Sequence, residues 1–143
     1  MSKLNESQIR ELITTAIGMR AFAYTPYSNF KVGAALLSKS GKVYTGCNIE
    51  NAGYTPSNCA ERTAFFSAVA EGQTEFEAIA IVGGHEEDSE LDLCAPCGVC
   101  RQVMREFCNP ETFEVILARN VNDYEVFTLE ELLPFSFGPE NLG

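Results

Sequence analysis

The stretch FKVGAALLSKSGKVYTGCN, residues 30–48, decides how the rest of the chain is read. Phe30–Ser38 and Val43–Asn48 are runs of strand type, and Lys39-Ser40-Gly41-Lys42 between them is a short polar turn, so the pair predicts a β-hairpin. Before it, Ile9, Leu12, Ile13, Ala16 and Ile17 recur at helical spacing, which predicts a helix from about Glu6 to Phe22. Asn5 and Gln8 supply a capping box for that helix, with Leu4 and Ile9 at the staple positions. After the hairpin, Asn51–Asn58 is a loop rich in Asn, Gly, Pro and Ser, and Cys59 to about Glu71 is a second helix stopped by Gly72. Phe76–Val82 is a third strand, expected to end at Gly83-Gly84, and His85–Asp92 is a solvated acidic loop. Pro96 suits the first turn of a helix reaching about Phe107. Phe113–Ala118 and the weaker Tyr124–Phe127 are further strands, and Thr128 with Glu131 caps a final short helix that Pro134 ends. Strands alternating with helices after an opening hairpin predict an α/β fold, a three-layer α/β/α sandwich with a mixed sheet of about five strands. No linker or repeat divides residues 1–143, which read as one domain.

Composition narrows the function. A chain of 143 residues buries roughly two-thirds of its unfolded surface, so neither disulfides nor metal are needed merely to fold it. Ten Lys plus Arg against twenty Asp plus Glu give a formal net charge of -10, with no basic stripe. Binding to a nucleic acid draws most of its affinity from cations on phosphates, so that partner is disfavoured and a small uncharged ligand favoured. No apolar run approaches the ~20 residues of a membrane span, so no membrane partner is expected. The opening MSKLNESQIREL lacks the apolar stretch and cleavage site of a secretory signal, and the expected location is the cytosol.

The six cysteines are Cys47, Cys59, Cys94, Cys97, Cys100 and Cys108. In a reducing compartment, clustered cysteines hold metal or do redox chemistry more often than they form disulfides. Cys97 and Cys100, three apart in the first turn of a helix, project from one face, and Cys59 stands at the start of another helix. Two helix N-termini converging on one point would offer three thiolates in a positive local potential. Three thiolates leave a tetrahedral zinc one open position, the mark of a catalytic site. There a bound water drops from a pKa of about 15.7 towards ~7. Glu61, two residues past Cys59, is the candidate proton carrier, and Arg62 with the helix dipoles the candidate counterweight to the sulfur charge.

Other readings compete with this one. Cys94, Cys97 and Cys100 also make Cys-x-x-Cys-x-x-Cys, which with Cys108 suggests an iron–sulfur cluster. That reading leaves Cys59-Ala60-Glu61-Arg62 unexplained and puts Cys94 before the helix-starting proline. A structural zinc module would need a fourth protein ligand and gives Glu61 no role. Cys47, Cys94 and Cys108 read as ordinary thiols, and His85 as a solvated side chain.

The sequence resembles the small homotetrameric zinc-dependent cytidine deaminases of the cytidine/deoxycytidylate deaminase family. The likeness spans nearly the whole chain, through Tyr24–Leu37 (YTPYSNFKVGAALL), Gly46–Ala52 (GCNIENA), the cysteine motifs with Glu61, and Leu132-Leu133-Pro134. It implies hydrolytic deamination of cytidine and deoxycytidine, as in pyrimidine salvage, with one Zn²⁺ per chain on Cys59, Cys97 and Cys100 and proton transfer by Glu61. It further implies that Phe30 packs on the substrate, that Asn48 and Glu50 hold the ribose hydroxyls, and that Ala60 lines the same pocket. Arg62 would bond the zinc thiolates and Gln102 support them from behind. Tyr54 and Phe137 would reach a neighbouring subunit's site in a homotetramer with shared active sites. The main rival within the class is a deaminase of another aminopyrimidine, such as a nucleoside antibiotic or an RNA-embedded cytosine; Asn48, Glu50 and the acidic surface oppose the polymer.

Overall fold

The computed structural model describes residues 3–143; Met1 and Ser2, which open the stretch read as lacking a secretory signal, lie outside the described residues. Helix α1 (Glu6–Met19) begins where its capping box places it: Asn5 Oδ1 accepts from the Gln8 amide at 2.8 Å and Gln8 Oε1 from the Asn5 amide at 2.9 Å. It stops at Met19, short of Phe22, because Arg20–Phe22 tightens into a 3₁₀ turn. There the Arg20 guanidinium leaves the helix to donate to the Lys31 and Gly84 carbonyls, both at 2.9 Å.

Strands β1 (Phe30–Ser38) and β2 (Val43–Cys47) form the expected antiparallel hairpin. Helix α2 (Ala60–Ala70), strand β3 (Phe76–His85), helix α3 (Gly98–Phe107), strands β4 (Glu114–Asn120) and β5 (Asp123–Thr128) and helix α4 (Leu129–Leu132) follow. The five strands lie in the order β2-β1-β3-β4-β5. Only the β3–β4 pair is parallel, so the sheet is mixed. Alternation along the strands sends Ala35, Ala80, Val82 and Ile116 to the α1 face, and Leu36, Ile79, Ile81 and Val115 to the face covered by α2 and α3. The three layers of the expected α/β/α sandwich are present. Fully buried Ile13 on one face and Phe65 on the other each contribute about 1.5–3 kcal/mol by leaving water.

Two glycines set the distance of the helices from the sheet. A Cβ on Gly33 would lie 1.9 Å from the Ala16 carbonyl oxygen of α1, and one on Gly46 would lie 2.2 Å from the Ala60 oxygen and 2.6 Å from the Ala64 nitrogen of α2. Backbone touches backbone at both points.

Other expected boundaries move as well. Gly83-Gly84 does not end β3, which pairs with β1 as far as Phe30↔His85. The glycines serve close packing instead: a Cβ on Gly83 would meet Cys94 Sγ at 2.8 Å, and one on Gly84 would meet Leu91 Cδ2 at 2.5 Å. Pro96 is not in the first turn of α3 but precedes its N-cap, Cys97. The ring is fully buried there, and the restriction it puts on backbone conformation holds the entry to the helix. Among the described residues no helix is long and apolar enough to cross a membrane.

Gly46→Ala is expected to cost about 1–3 kcal/mol, because the added methyl must push α2 off β2. Gly18→Ala, in α1 with nothing within 4 Å of its Cβ, is expected to gain about 0.5–1 kcal/mol from helix propensity. Urea midpoints at unchanged m-value measure both.

Candidate active site

Helices α2 and α3 begin at the same place. Cys59 is the N-cap of α2 and Cys97 the N-cap of α3, both with extended backbone and neither with a side-chain capping bond, so both sulfurs are left for other use. Cys100, in the first turn of α3, is buried. The Cys59 and Cys97 sulfurs stand 3.8 Å apart and those of Cys97 and Cys100 3.5 Å apart, and all three lie within 4.8 Å of one another. Among the described residues this is the group of three or more metal-ligating side chains so arranged. A tetrahedral zinc with Zn–S bonds of ~2.3 Å has sulfurs about 3.8 Å apart, so the spacing fits the ion.

The surrounding charges fit it too. Arg62 Nη2 donates to Cys59 Sγ at 3.3 Å, while its Nε is buried with no hydrogen-bond partner. An orphan donor on a cation is costly in a neutral interior, and metal-binding thiolates supply the negative field that offsets it. The Cys59 thiol is drawn down to about 5, chiefly by its hydrogen bond with Cys100, with burial opposing and Arg62 assisting. Cys100 moves the other way for the same bond, which favours retention of its own proton beside the Cys59 sulfur. Cys94 differs: burial pushes its thiol up to about 11, and Cys47 and Cys108 are likewise raised by burial. Those three behave as neutral packing thiols.

Glu61 is 4 % exposed, in the first turn of α2 between Cys59 and the core. Burial pushes its carboxyl up to about 7, and the Cys59 thiolate adds to the rise while Arg62 opposes it. Ala60 beside it is fully buried against β2. A carboxyl at that value can hold or release a proton near neutrality.

Phe30, Asn48 and Glu50 form one connected group. Asn48 Nδ2 donates to the Phe30 carbonyl at 2.7 Å and its Oδ1 accepts from the Val32 amide at 2.9 Å, leaving one N–H and one lone pair free for a ligand. Glu50 accepts from the Tyr27 and Ser28 amides at 3.0 and 3.1 Å and from the Ser28 hydroxyl, and the Ser28 bond above all holds its carboxyl below the usual range. Ser28 Oγ in turn accepts from the Phe30 amide at 3.0 Å. Phe30 and Cys59 pack against the same core cluster.

Sequence reasoning missed Ser28, which ties Glu50 to Phe30; the signal was an Asn-containing turn before a strand. It also missed that His85, though exposed, sets its ring edge-on to Phe30 with centroids 5.2 Å apart. The cross-strand pairing that does this depends on β3 continuing through Gly83-Gly84. Tyr54 and Phe137 are exposed, Tyr54 at φ 60° in a loop turned by Asn51. Gln102 Nε2 donates to the Phe137 carbonyl at 2.8 Å.

Comparison with known proteins agrees with this geometry. The model of the cytidine and deoxycytidylate deaminase zinc-binding region matches residues 6–116. The cytidine deaminase of Sporosarcina psychrophila is 48% identical over 134 residues, 94% of each chain, and that of Halalkalibacterium halodurans is 49% identical over 131 residues, 92% of this chain and 95% of that one. The crystal structure of cytidine deaminase from Burkholderia pseudomallei superposes with a TM-score of 0.79 at 52% identity, over 89% of this chain and 97% of that one. That from Mycobacterium tuberculosis gives 0.75 at 35%, over 95% and 99%. A matched zinc-binding region that takes in both cysteine motifs, on a fold shared along nearly the whole length, shows that this chain belongs to the cytidine and deoxycytidylate deaminase family.

Proposed function

We propose that the chain, acting as one domain over residues 1–143 in the cytosol, is a zinc-dependent hydrolase that converts cytidine and deoxycytidine to uridine and deoxyuridine with release of ammonia. The observation that carries this reading is the buried Glu61 beside three sulfurs at metal-binding spacing, where two helices begin.

Cys59, Cys97 and Cys100 hold the zinc, which when bound supplies the Lewis acidity that makes a water nucleophilic at neutral pH. Glu61 takes one proton from that water and delivers it to N3 of the pyrimidine as oxygen adds at C4. It then passes the remaining hydroxyl proton to the exocyclic amine, the C4–N bond breaks and ammonia leaves. Arg62 balances the thiolate charge, so that the sulfurs do not cancel the acidity the metal supplies. Phe30 packs on the nucleoside, Ala60 lines the base pocket, and Asn48 and Glu50 orient the sugar through the groups their own network leaves unused. Glu50 also repels a phosphate on that sugar, which favours a nucleoside over its nucleotide. Tyr54 and Phe137 close the site of an adjoining subunit in a homotetramer; their exposure on the single chain supports that role.

One zinc per chain is expected, and Cys59→Ala, Cys97→Ala or Cys100→Ala is expected to lose it with activity, whereas Cys47→Ala, Cys94→Ala and Cys108→Ala keep it. Atomic absorption on the purified variants decides; a required Cys94 would remove the assignment. Glu61→Gln is expected to retain zinc and fold but lose roughly 10²–10⁴-fold in turnover, followed as the fall in cytidine absorbance. Near wild-type turnover would refute its role. Cytidine is expected to be turned over far better than its 5′-monophosphate, with Glu50→Gln narrowing the gap; equal kcat/KM for the two compounds would overturn the nucleoside assignment.

A further inference from the structure

We propose that Arg105 fastens the C-terminal tail onto α3 and thereby fixes where the Phe137 ring stands for nucleoside binding, an inference that rests on the reading of Phe137 given above. Arg105 is a positioning residue here. It acts through the tail and touches no substrate.

The tail beyond α4 joins no strand. Phe135 is fully exposed at φ 56° and Phe137 is 57 % exposed, so hydrophobic burial does not hold either ring in place. Unburied termini fray. Yet this one is tied down on both sides of Phe137 by one face of α3. Gln102 and Arg105 are three apart and share that face. Gln102 Nε2 donates to the Phe137 carbonyl at 2.8 Å, and Arg105 Nε donates to Ser136 Oγ at 2.8 Å. Arg105 Nη1 and Nη2 then grip the two carboxylate oxygens of Glu140, the first at 3.2 Å. A bidentate fork fixes orientation as well as distance, which a single hydrogen bond does not.

Gly138 completes the clasp. A Cβ there would lie 2.3 Å from Arg105 Cζ and from Nη1, so the tail backbone lies flat on the guanidinium only because residue 138 has no side chain. The Arg105 side chain is therefore only 10 % exposed, although its partner Glu140 is 67 % exposed. Asn141 Oδ1 accepts from the Gly138 amide at 2.8 Å and closes the turn behind it. The guanidinium thus reaches residues 136 and 140, the two flanks of Phe137, through all three of its nitrogens. The helix that carries this clasp is the one whose start carries Cys97 and Cys100, so the ring is referred to the rigid body of its own subunit.

The test uses the zinc-loaded enzyme, with Arg105→Met, Phe137→Ala, the double variant and Glu140→Gln, which alters only an exposed side chain and so keeps the proposal testable should Arg105→Met misfold. Two readouts are taken: steady-state KM and kcat for cytidine at measured zinc content, and the rate of chymotrypsin cleavage at Phe135 and Phe137. Arg105→Met and, more mildly, Glu140→Gln are expected to speed cleavage and to raise KM several-fold with kcat and zinc nearly unchanged. The double variant is expected to be no worse in KM than Phe137→Ala alone, since both act through one ring. A purely stabilising Arg105 would instead add its effect to that of Phe137→Ala, and that result overturns the proposal. Wild-type cleavage rates in both Arg105→Met and Glu140→Gln overturn the clasp itself. Faster cleavage in Arg105→Met with no change of KM in Phe137→Ala shows that the Phe137 reading failed, and the positioning role falls with it.

Discussion

The contact on which the site depends is between two backbones. At Gly46 the second strand comes so close to α2 that the Ala60 carbonyl occupies the space of a side chain. The first turn of α2 therefore cannot slide along or rise from the sheet without losing that fit. Cys59 immediately before this point and Glu61 immediately after it inherit the precision. Interiors packed to this density transmit displacement rather than absorb it. On the other side, α3 is set by buried Pro96 and by Arg101, whose guanidinium donates to the Pro96 carbonyl at 2.7 Å and to the Leu132 carbonyl at 2.5 Å. Two independently anchored helix starts thus bring three sulfurs to the separation that one zinc spans.

That convergence also arranges the charge. Three sulfur anions within 4.8 Å of one another would repel, and each helix start brings unpaired amide groups and the positive end of its dipole to meet them. Neither N-cap side chain is spent on capping, which is unusual for a well-formed helix and makes chemical sense only if the side chain has another ligand. Arg62 supplies the remaining compensation at one sulfur. For Glu61 burial outweighs the nearby Arg62 charge. Its burial beside that sulfur is what lifts its carboxyl to about 7. One turn of helix therefore holds a cation bonded to one of the three sulfurs and a carboxyl that burial raises toward neutrality.

Much of this was legible in the sequence wherever a local rule decides the outcome. Both capping boxes, Asn5 with Gln8 and Thr128 with Glu131, form as read, and the hairpin turns at Lys39–Lys42. The clustering of Cys59, Cys97 and Cys100 and the place of Glu61 in the first turn of α2 were legible because their spacing from helix starts has chemical meaning. What escaped depended on contacts distant in the chain. Gly83-Gly84 reads as a strand end by composition, but Cys94 and Leu91 pack against it and the strand runs on. His85 was read as solvated, and its contact with Phe30 exists only because of that extension. Pro96, expected in the first turn of α3, stands two positions before its first residue, Gly98, a matter of which residue caps. Ser28 and the turning of Gln102 toward the tail are side-chain choices that no periodicity records.

The distribution of aromatic residues is the last constraint, and it bears on assembly. The core takes Phe76 and Phe113, each against Phe65, as burial favours, while Phe22, Tyr24, Tyr27, Tyr54, Phe135 and Phe137 remain exposed. Aromatic rings carry large apolar area, and leaving several in water on a small chain forgoes stabilisation that a partner surface would recover. If Phe135 and Phe137 were meant for their own core, a tail free to fold back would serve best. Instead the backbone around them is clamped, with Phe135 in a left-handed conformation that an aromatic residue adopts only at a cost. Ordering a chain end costs entropy, and ordering it with its rings pointed into solvent gains nothing for a solitary subunit. The expense is intelligible when a further surface covers the rings, because a pre-set tail lowers the cost of making that contact.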